Sequence, residues 1–197
     1  MSASAEPKKE DKKDVKDTKA PAETETSVQL DESTSEVEFK AVGYPTFLKV
    51  DGKGSQLKGK FTVTGRQVTG EARFPLSTLS TGIGLRDSHM KEKYLQVKKH
   101  PDAVFTLTQL ELTGDFTKKN VSFDQIPFTG WLTLRGNKHP VKGTVDVLKN
   151  GREVTIYAKF ATKISYYNIP QPGYMGITVA DDVDVFIKAT GTASSTR

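Results

Sequence analysis

VKGTVDVLKNGREVTIYAKF, residues 141–160, is the stretch that decides the fold class of this chain. On both sides of Asn150-Gly151, valine and isoleucine alternate with polar residues, the period of two that puts successive side chains on opposite faces of a strand. Asn-Gly accepts the positive φ angles of a type I′ turn. The stretch is therefore predicted to form two antiparallel strands joined by a tight turn.

The same alternation recurs through most of the chain after Val37. Asp51-Gly52 and Gly136-Asn137 are predicted as further turns, because Gly, Asn and Asp favour turn conformations. Roughly eight strands result, which predicts an all-β antiparallel sandwich or barrel. The other strands are predicted over residues 37–41, 57–63, 68–76, 103–112, 128–134 and 183–189.

One short helix is predicted, over Ser88–Leu95. Asp87 or Ser88 is a suitable N-cap, and Pro101 prevents the helix from continuing far beyond Leu95. Met90 and Tyr94 are four residues apart and share a face. That face is expected to lie against the sheet or over one end of a barrel.

The apolar face of the strands is long and rich in aromatic residues. Gly59, Gly130 and Gly143 interrupt it, which indicates a bend, a bulge or a close approach. An eight-stranded barrel is either filled by side chains or holds one small ligand, and the alternation leaves both open. The candidate lining residues are Phe39, Phe61, Phe74, Met90, Tyr94, Phe105, Leu107, Phe128, Leu132, Leu134, Val145, Ile156, Phe160 and Ile187.

The N-terminal segment differs in composition from the rest of the chain. Residues 1–36 hold six Lys and ten Asp/Glu, whereas residues 37–197 hold 23 basic and 14 acidic residues. No aromatic residue precedes Phe39, and so little apolar surface does not offset the entropy of ordering the backbone. We therefore predict a disordered tail over residues 1–35 and a folded domain over 36–197, and expect deletion of residues 2–35 to leave the melting temperature unchanged.

The residues give no signal of catalysis or of a metal site. The chain has no Cys, and its three His residues lack helical ligand spacing. No G-x-S-x-G motif occurs, and Gly82-Ile83-Gly84 is not followed by the residues of a phosphate loop. We therefore predict a protein that is not an enzyme and has no metal or cofactor.

A basic cluster surrounds the predicted helix. It suits a pyrophosphate head group, an anionic membrane surface or nucleic acid, and also a merely solvated face. Nucleic acid is not expected as a partner, because most aromatic side chains share the inward face and leave no outward stacking platform. The cluster comprises Lys91, Lys93, Lys98, Lys99 and His100.

Two segments resemble the signature of the YceI-like family. The first contains Thr78-Leu79-Ser80-Thr81-Gly82, Arg86-Asp87-Ser88-His89-Met90, Tyr94-Leu95 and His100-Pro101. The second is Gly130–Val141, GWLTLRGNKHPV. The sequence departs from the family pattern in having Met90 for Leu, Tyr94 for Phe, and Tyr166-Tyr167-Asn168 where an Arg-x-Asp-Phe-Gly element is usual.

The resemblance implies an extended, lipocalin-like antiparallel barrel of eight strands, closed by a short helix and containing an apolar tunnel. Relatives hold polyisoprenoid chains, including isoprenoid quinones and polyprenyl pyrophosphates. The expected function is non-enzymatic binding, transport or storage of an isoprenoid lipid. The alternative is a filled barrel that acts through a protein partner on its outer surface. Contact with a membrane surface is compatible with the lipid, and a homodimer stays open.

The resemblance also guides expectations about the head group and the location. Candidate head-group residues at the barrel mouth are Arg86, His89, Tyr166 and Tyr174. A structural role is favoured over head-group binding for the Arg86-Asp87-x-His89 element, with Asp87 capping the helix and Arg86 pairing with a carboxylate or with carbonyls. Many relatives are exported, and the charged N-terminal segment fits a tether, so a periplasmic or cell-envelope lipoprotein is expected. A leftover tail without a function is the alternative for that segment.

Overall fold

The structure is a computed structural model that describes residues 25–45, 49–174 and 177–196. Residues 1–24, which form most of the predicted disordered tail, lie outside the described residues. The strands are β1 (Glu25–Tyr44), β2 (Lys49–Ser55), β3 (Lys58–Thr64), β4 (Gln67–Pro75), β5 (Asp102–Leu110), β6 (Asn120–Leu134), β7 (Asn137–Asn150), β8 (Glu153–Lys163), β9 (Gly173–Tyr174) and β10 (Ile177–Thr196).

Eight of these strands form a closed antiparallel barrel, which confirms the predicted fold class. The strand order is β1-β3-β4-β5-β6-β7-β8-β10, and pairing of β1 with β10 closes the ring. That pairing runs from Glu25↔Thr196 to Tyr44↔Thr178. Strand β2 continues along β1 beyond the end of β3, and β9 pairs with the start of β10. Closure leaves the eight main strands without a free edge.

The hairpin predicted at residues 141–160 is confirmed, with its turn one residue later than expected. Asn150 pairs with Glu153, so the two-residue loop is Gly151-Arg152. Only Gly151 has positive φ, 63°, which is the pattern of a type II′ turn. Positive φ at both central residues, the type I′ pattern, occurs instead at Arg135-Gly136, where φ is 51° and 74°.

The prediction of a turn at Asp51-Gly52 is wrong, because both residues lie in β2. Gly52 lies inside β2 directly opposite Phe39, and a Cβ at this position would overlap the Phe39 ring. Gly143, opposite Phe128, has the same arrangement. These glycines make room for an aromatic ring from the neighbouring strand. The close approach that the inward-facing Gly143 indicated is therefore present.

The predicted domain boundary at residue 36 is wrong, because β1 begins at Glu25. Val28 and Leu30 are buried and pair with residues of β3 and β10, respectively. Thr26, Val28 and Leu30 are the inward positions of a strand that is hydrogen-bonded on both sides. Burial of this alternating face offsets the entropic cost of ordering the backbone. The charged composition of the segment does not reveal this contribution.

The connections define two ends of the barrel. At the end that we call the floor lie the turns Gly65-Arg66 and Gly151-Arg152 and the loop 111–119. At the opposite end, the mouth, lie residues 76–101 between β4 and β5 and the segment 164–172 that follows β8.

The short helix lies at the mouth and begins four residues before its predicted start. Helix α1 spans Gly84–His89 and continues into a π-helical turn, Met90–Tyr94. The N-cap residue is Ile83 and makes no side-chain capping bond, so the prediction that Asp87 or Ser88 caps the helix is wrong.

Candidate ligand-binding cavity

An elongated cavity of about 640 Å³ lies inside the barrel. This volume is in the range of small-molecule binding sites. All fourteen residues that the alternation predicted for the lining do line it, including Met90 and Tyr94 from the helical turn. Binding of a ligand by these residues stays a prediction.

The mouth half of the barrel is hollow. Ile156, Phe160, Val185 and Ile187 line the cavity, yet each is only partly buried. Their remaining accessible surface faces the cavity, since the alternate residues of the same strands form the outer surface of the barrel. Apolar surface is therefore left uncovered inside the fold.

The floor half is packed and closed by the loop 111–119. Leu112 and Phe116 from this loop are 1% and 3% exposed. Phe116 stacks on Phe123 with ring centroids 6.4 Å apart. Lys149 Nζ donates to the carbonyl of Lys118 at 2.7 Å and lies 5.3 Å from the Phe116 ring centroid. These contacts hold the loop against the barrel.

The polar groups of the cavity are all at the mouth. None of the described residues that line the floor half carries a polar side chain into the cavity. An elongated amphipathic ligand is therefore matched in one orientation, with its apolar end towards the floor. The polar side chains of the lining belong to Thr81, Arg86, His89, Tyr94, Thr162 and Tyr167.

Arg86 places a cation beside the apolar cavity. Its Nε donates to Thr81 Oγ1 at 2.7 Å and its Nη2 donates to the Thr81 carbonyl at 2.9 Å. Among the described residues, no carboxylate oxygen lies within 4.0 Å of its guanidinium nitrogens. The predicted pairing with a carbonyl is therefore present, and part of the guanidinium fork stays available to an acceptor in the cavity.

Asp87 fixes the loop that precedes the helix. Its carboxylate accepts from Ser80 Oγ at 2.6 Å, from the Thr81 amide at 2.7 Å and from Thr81 Oγ1 at 2.5 Å. Burial pushes the pKa of Asp87 upward, but the hydrogen bonds from Ser80 and Thr81 outweigh it and lower that pKa below its usual value. Because Thr81 also accepts from Arg86, Asp87 orients the cation indirectly.

Two adjacent tyrosines have opposite orientations. Tyr167 is completely buried, and its hydroxyl lies 3.0 Å from Thr162 Oγ1 at the cavity wall. Burial raises the pKa of Tyr167, which keeps the phenol protonated. Tyr166 is 43% exposed, stacks on His139 with centroids 3.7 Å apart, and does not line the cavity. Tyr166 is therefore wrong as a head-group residue.

Of the other head-group candidates, Arg86 and His89 do line the mouth of the cavity. The Tyr174 side chain lies outside the described structure, so its predicted role stays a prediction. Sequence reasoning missed the mouth residues Thr162 and Tyr167, for which the alternation gives no functional signal.

Two negative observations apply to the part of the chain that the structure describes. No group of three or more His, Asp or Glu side chains converges there in an arrangement that could hold a metal ion. No helix within it is long and apolar enough to span a bilayer.

Comparison with known proteins identifies the family. The chain matches the YceI-like domain over residues 28–191. BcnA of Burkholderia cenocepacia is 18% identical with a TM-score of 0.66, over 82% of this chain and 98% of that one. A polyisoprenoid binding domain from Saccharophagus degradans, implicated in plant cell wall breakdown, is 14% identical with a TM-score of 0.64, over 85% of this chain and 98% of that one.

A third solved structure, the YCEI protein of Campylobacter jejuni, is 16% identical with a TM-score of 0.55, over 75% of this chain and 85% of that one. At these identities the likeness concerns the fold. No curated protein matches the chain in a sequence search. The resemblance predicted from the motifs around Arg86 and Gly130 is confirmed by the domain match, and the chain belongs to the YceI-like family.

Proposed function

We propose that this protein is a non-enzymatic carrier or store for an isoprenoid lipid, either a polyprenyl chain or an isoprenoid quinone. The observation that carries the proposal is the elongated apolar cavity of about 640 Å³, whose polar lining groups all lie at one end. A ligand with a long hydrocarbon tail and one polar head matches this distribution. The solved relative from Saccharophagus degradans supports the choice of a polyisoprenoid.

Affinity in this proposal comes mainly from burial of the tail. Each buried methylene-sized group contributes about 0.8 kcal/mol before the costs of ordering the ligand are subtracted. Phe160 and Ile187, which leave apolar surface exposed to the cavity, gain contacts when the tail enters. This contribution grows with the length of tail that the cavity holds but does not depend on the head group, so discrimination between lipids with equal tails has to come from the mouth.

The mouth favours a head group that accepts hydrogen bonds. Arg86 offers the free part of its guanidinium fork, and the Tyr167–Thr162 hydroxyl pair offers a neutral partner. A phosphate or a quinone carbonyl would suit these donors. We favour an anionic head group, because Arg86 has no carboxylate partner among the described residues and sits beside a low-dielectric cavity.

The filled-barrel alternative has less support, because the interior holds a cavity beside partly buried apolar residues. The cell envelope is part of the same proposal, supported by the resemblance to a family with many exported members. Fractionation of cells that express the native gene tests this location, and recovery in the cytosol alone would contradict it.

Organic extraction of the purified full-length protein, followed by mass spectrometry, tests the lipid proposal. We expect a prenyl lipid at a substantial fraction of one molecule per chain. Recovery of no lipid, or only of fatty acids, would contradict it. Ala158→Phe, which places a ring at the cavity wall, should lower the lipid content, whereas Leu148→Ser on the outer face should not.

Delipidated protein tests the head-group assignment. Arg86→Gln should weaken binding of geranylgeranyl phosphate by about tenfold or more and leave geranylgeraniol almost unchanged, because only the phosphate makes a charge-assisted hydrogen bond. Lys99→Gln is the control for loss of one exposed positive charge outside the cavity. An equal effect of both variants would show that the phosphate responds only to the overall field.

A further inference from the structure

The rim of the mouth exposes aliphatic side chains. Ile83 and Leu85 are 53% and 58% exposed, although both also line the cavity. Val42 and Tyr44, 49% and 71% exposed, lie at the same end of the barrel, where β1 finishes. Exposed aliphatic residues next to an opening are more informative than scattered ones, because they enlarge one continuous apolar surface.

The same end carries unpaired positive charge. Between Gly84 and His100 the chain has five Lys/Arg and only two Asp/Glu. Within the described residues, none of the lysines in this segment lies within 4.0 Å of a carboxylate. The unpaired lysines are Lys91, Lys93, Lys98 and Lys99.

The floor lacks this combination. None of the large apolar residues that the structure exposes lies in the floor turns at 65–66 and 151–152 or in the loop 111–119. Arg66 in the first of these turns is paired with Glu111 at 3.2 Å. Lys118 and Lys119 in the loop have no carboxylate within 4.0 Å among the described residues, but no exposed apolar rim accompanies them. An apolar rim with unpaired lysines is thus a property of the mouth.

We propose that the mouth docks on an anionic phospholipid bilayer, with Ile83 and Leu85 inserted at the headgroup boundary and the lysines of the helical segment facing lipid phosphates. Lysines close to an anionic membrane surface are attracted to it electrostatically. Insertion of an aliphatic side chain removes its apolar surface from water. Neither charge attraction nor insertion of a few apolar side chains gives stable attachment by itself, but the two together do.

This inference deepens the proposed function by placing the opening of the cavity against the membrane from which a lipid is drawn. A protein partner could bind the same apolar rim. Such a partner would not need positive charge around the rim, whereas an anionic bilayer is attracted by it. The charge complementarity therefore favours the bilayer.

Vesicle flotation with the purified full-length protein tests the proposal. We expect binding to phosphatidylcholine vesicles that contain about 30 mol% phosphatidylglycerol, little binding to pure phosphatidylcholine, and weaker binding in about 0.5 M NaCl. Ile83→Ser with Leu85→Ser, and separately Lys91→Gln with Lys93→Gln and Lys98→Gln, should each reduce partitioning by about tenfold or more.

Matched controls carry the same types of change away from the mouth. Leu148→Ser removes an exposed aliphatic residue of β7, and Lys60→Gln with Lys119→Gln and Lys142→Gln removes three exposed charges. We expect less than about a twofold effect from either control. Thermal unfolding of every variant establishes that it folds.

The outcomes separate docking from lipid binding. No flotation with anionic vesicles, or equal losses in mouth and control variants, overturns docking, and the first result reassigns the rim to a protein partner. If the purified protein still contains a prenyl lipid, the proposed function survives that failure. Flotation with the expected variant pattern but no extractable lipid would sustain docking and contradict the carrier proposal.

Discussion

The two halves of the barrel share the same alternating strand pattern but differ in how tightly their inward side chains are packed. Strand β8 shows both in one element, since Val154 near the floor is 1% exposed and Phe160 near the mouth is only partly buried. Both residues point inward, six positions apart. The difference arises because the loop 111–119 fills and covers the floor, whereas a short helical segment covers the mouth. What covers each end therefore decides whether the interior is packed or hollow.

The two halves of the barrel differ in what their inward residues contribute, to the stability of the fold or to contacts with a ligand. The floor contains the close-packed Leu112, Phe116 and Phe123, which stabilise the fold together with a buried cluster around Leu76 and Tyr167 beneath the mouth segments. Lining residues of the mouth half, such as Phe160 and Ile187, make fewer dispersion contacts within the protein, because one side of each faces the cavity. Those lost contacts are what a ligand would restore.

The largest expected effect comes from removing the strand that closes the floor half. Composition alone predicts that deletion of residues 2–35 leaves the melting temperature unchanged, and the position of β1 reverses that expectation. The deletion removes the first half of β1, with Val28 and Leu30, and opens the barrel between β3 and β10. Loss of the two buried side chains alone costs about 5 kcal/mol. We expect no cooperative thermal transition in circular dichroism.

Deletion of residues 2–24 is the matched control, since it removes no residue of β1. It should keep the melting temperature of the full chain. If the two deletions melt alike, the first half of β1 does not close the barrel in solution.

A pair of aromatic truncations compares the two halves directly. Phe116→Ala at the floor should cost about 3–5 kcal/mol, the usual range for a close-packed ring. Phe160→Ala should cost about 1–2 kcal/mol, because much of its ring faces the cavity. Urea unfolding of delipidated protein measures both, and equal losses would mean that the mouth half is packed as tightly as the floor.

The fold was predictable from the sequence because alternation and turn residues are local signals. The stretch 141–160 forms the expected hairpin, and each predicted lining residue lines the cavity. The start of β1 was missed, because the mixed charges of the N-terminal segment dominate its composition. The alternation of Thr26, Val28 and Leu30 with polar residues was the signal that could have identified it.

The site was less predictable, since it depends on how loops fold back. Phe116 follows Gly114-Asp115 in a segment typical of a surface turn, yet it packs into the floor. Tyr166 and Tyr167 are adjacent and chemically alike, and only the 3₁₀ turn at Ile164–Tyr167 determines which one faces the cavity. No periodicity in the sequence encodes that choice.

Overpacking tests the same comparison with a smaller effect. Ala193→Phe inserts a ring into the packed floor and should cost about 1–3 kcal/mol. Ala158→Phe points a ring into the cavity and should cost less than about 1 kcal/mol in delipidated protein. Urea unfolding measures the difference, and a larger cost at Ala158 than at Ala193 would contradict a hollow mouth half.

The smallest expected effect concerns Asp87, which orders the loop at the mouth and makes no contact with the packed floor. The pKa of Asp87 in the folded protein is below its ordinary value. The charged carboxylate therefore stabilises the fold at any pH above the ordinary pKa, and this stabilisation is lost as the pH falls through the lowered pKa. Asp87→Asn should therefore destabilise the protein by about 1 kcal/mol at neutral pH, where the hydrogen bonds from Ser80 and Thr81 are charge-assisted.

The difference in the free energy of unfolding between wild type and Asp87→Asn should disappear on acidification. Protonated Asp87 is uncharged, as the amide of the variant is at every pH. Urea unfolding of both proteins at neutral pH and below the ordinary carboxyl pKa measures this. Asp115→Asn is the control at the floor, since Asp115 also has a lowered pKa from hydrogen bonds within its own loop. If Asp87 orients Arg86 through Thr81, only Asp87→Asn should also weaken binding of geranylgeranyl phosphate. Equal binding by the two variants would show that the loop orders itself without the carboxylate.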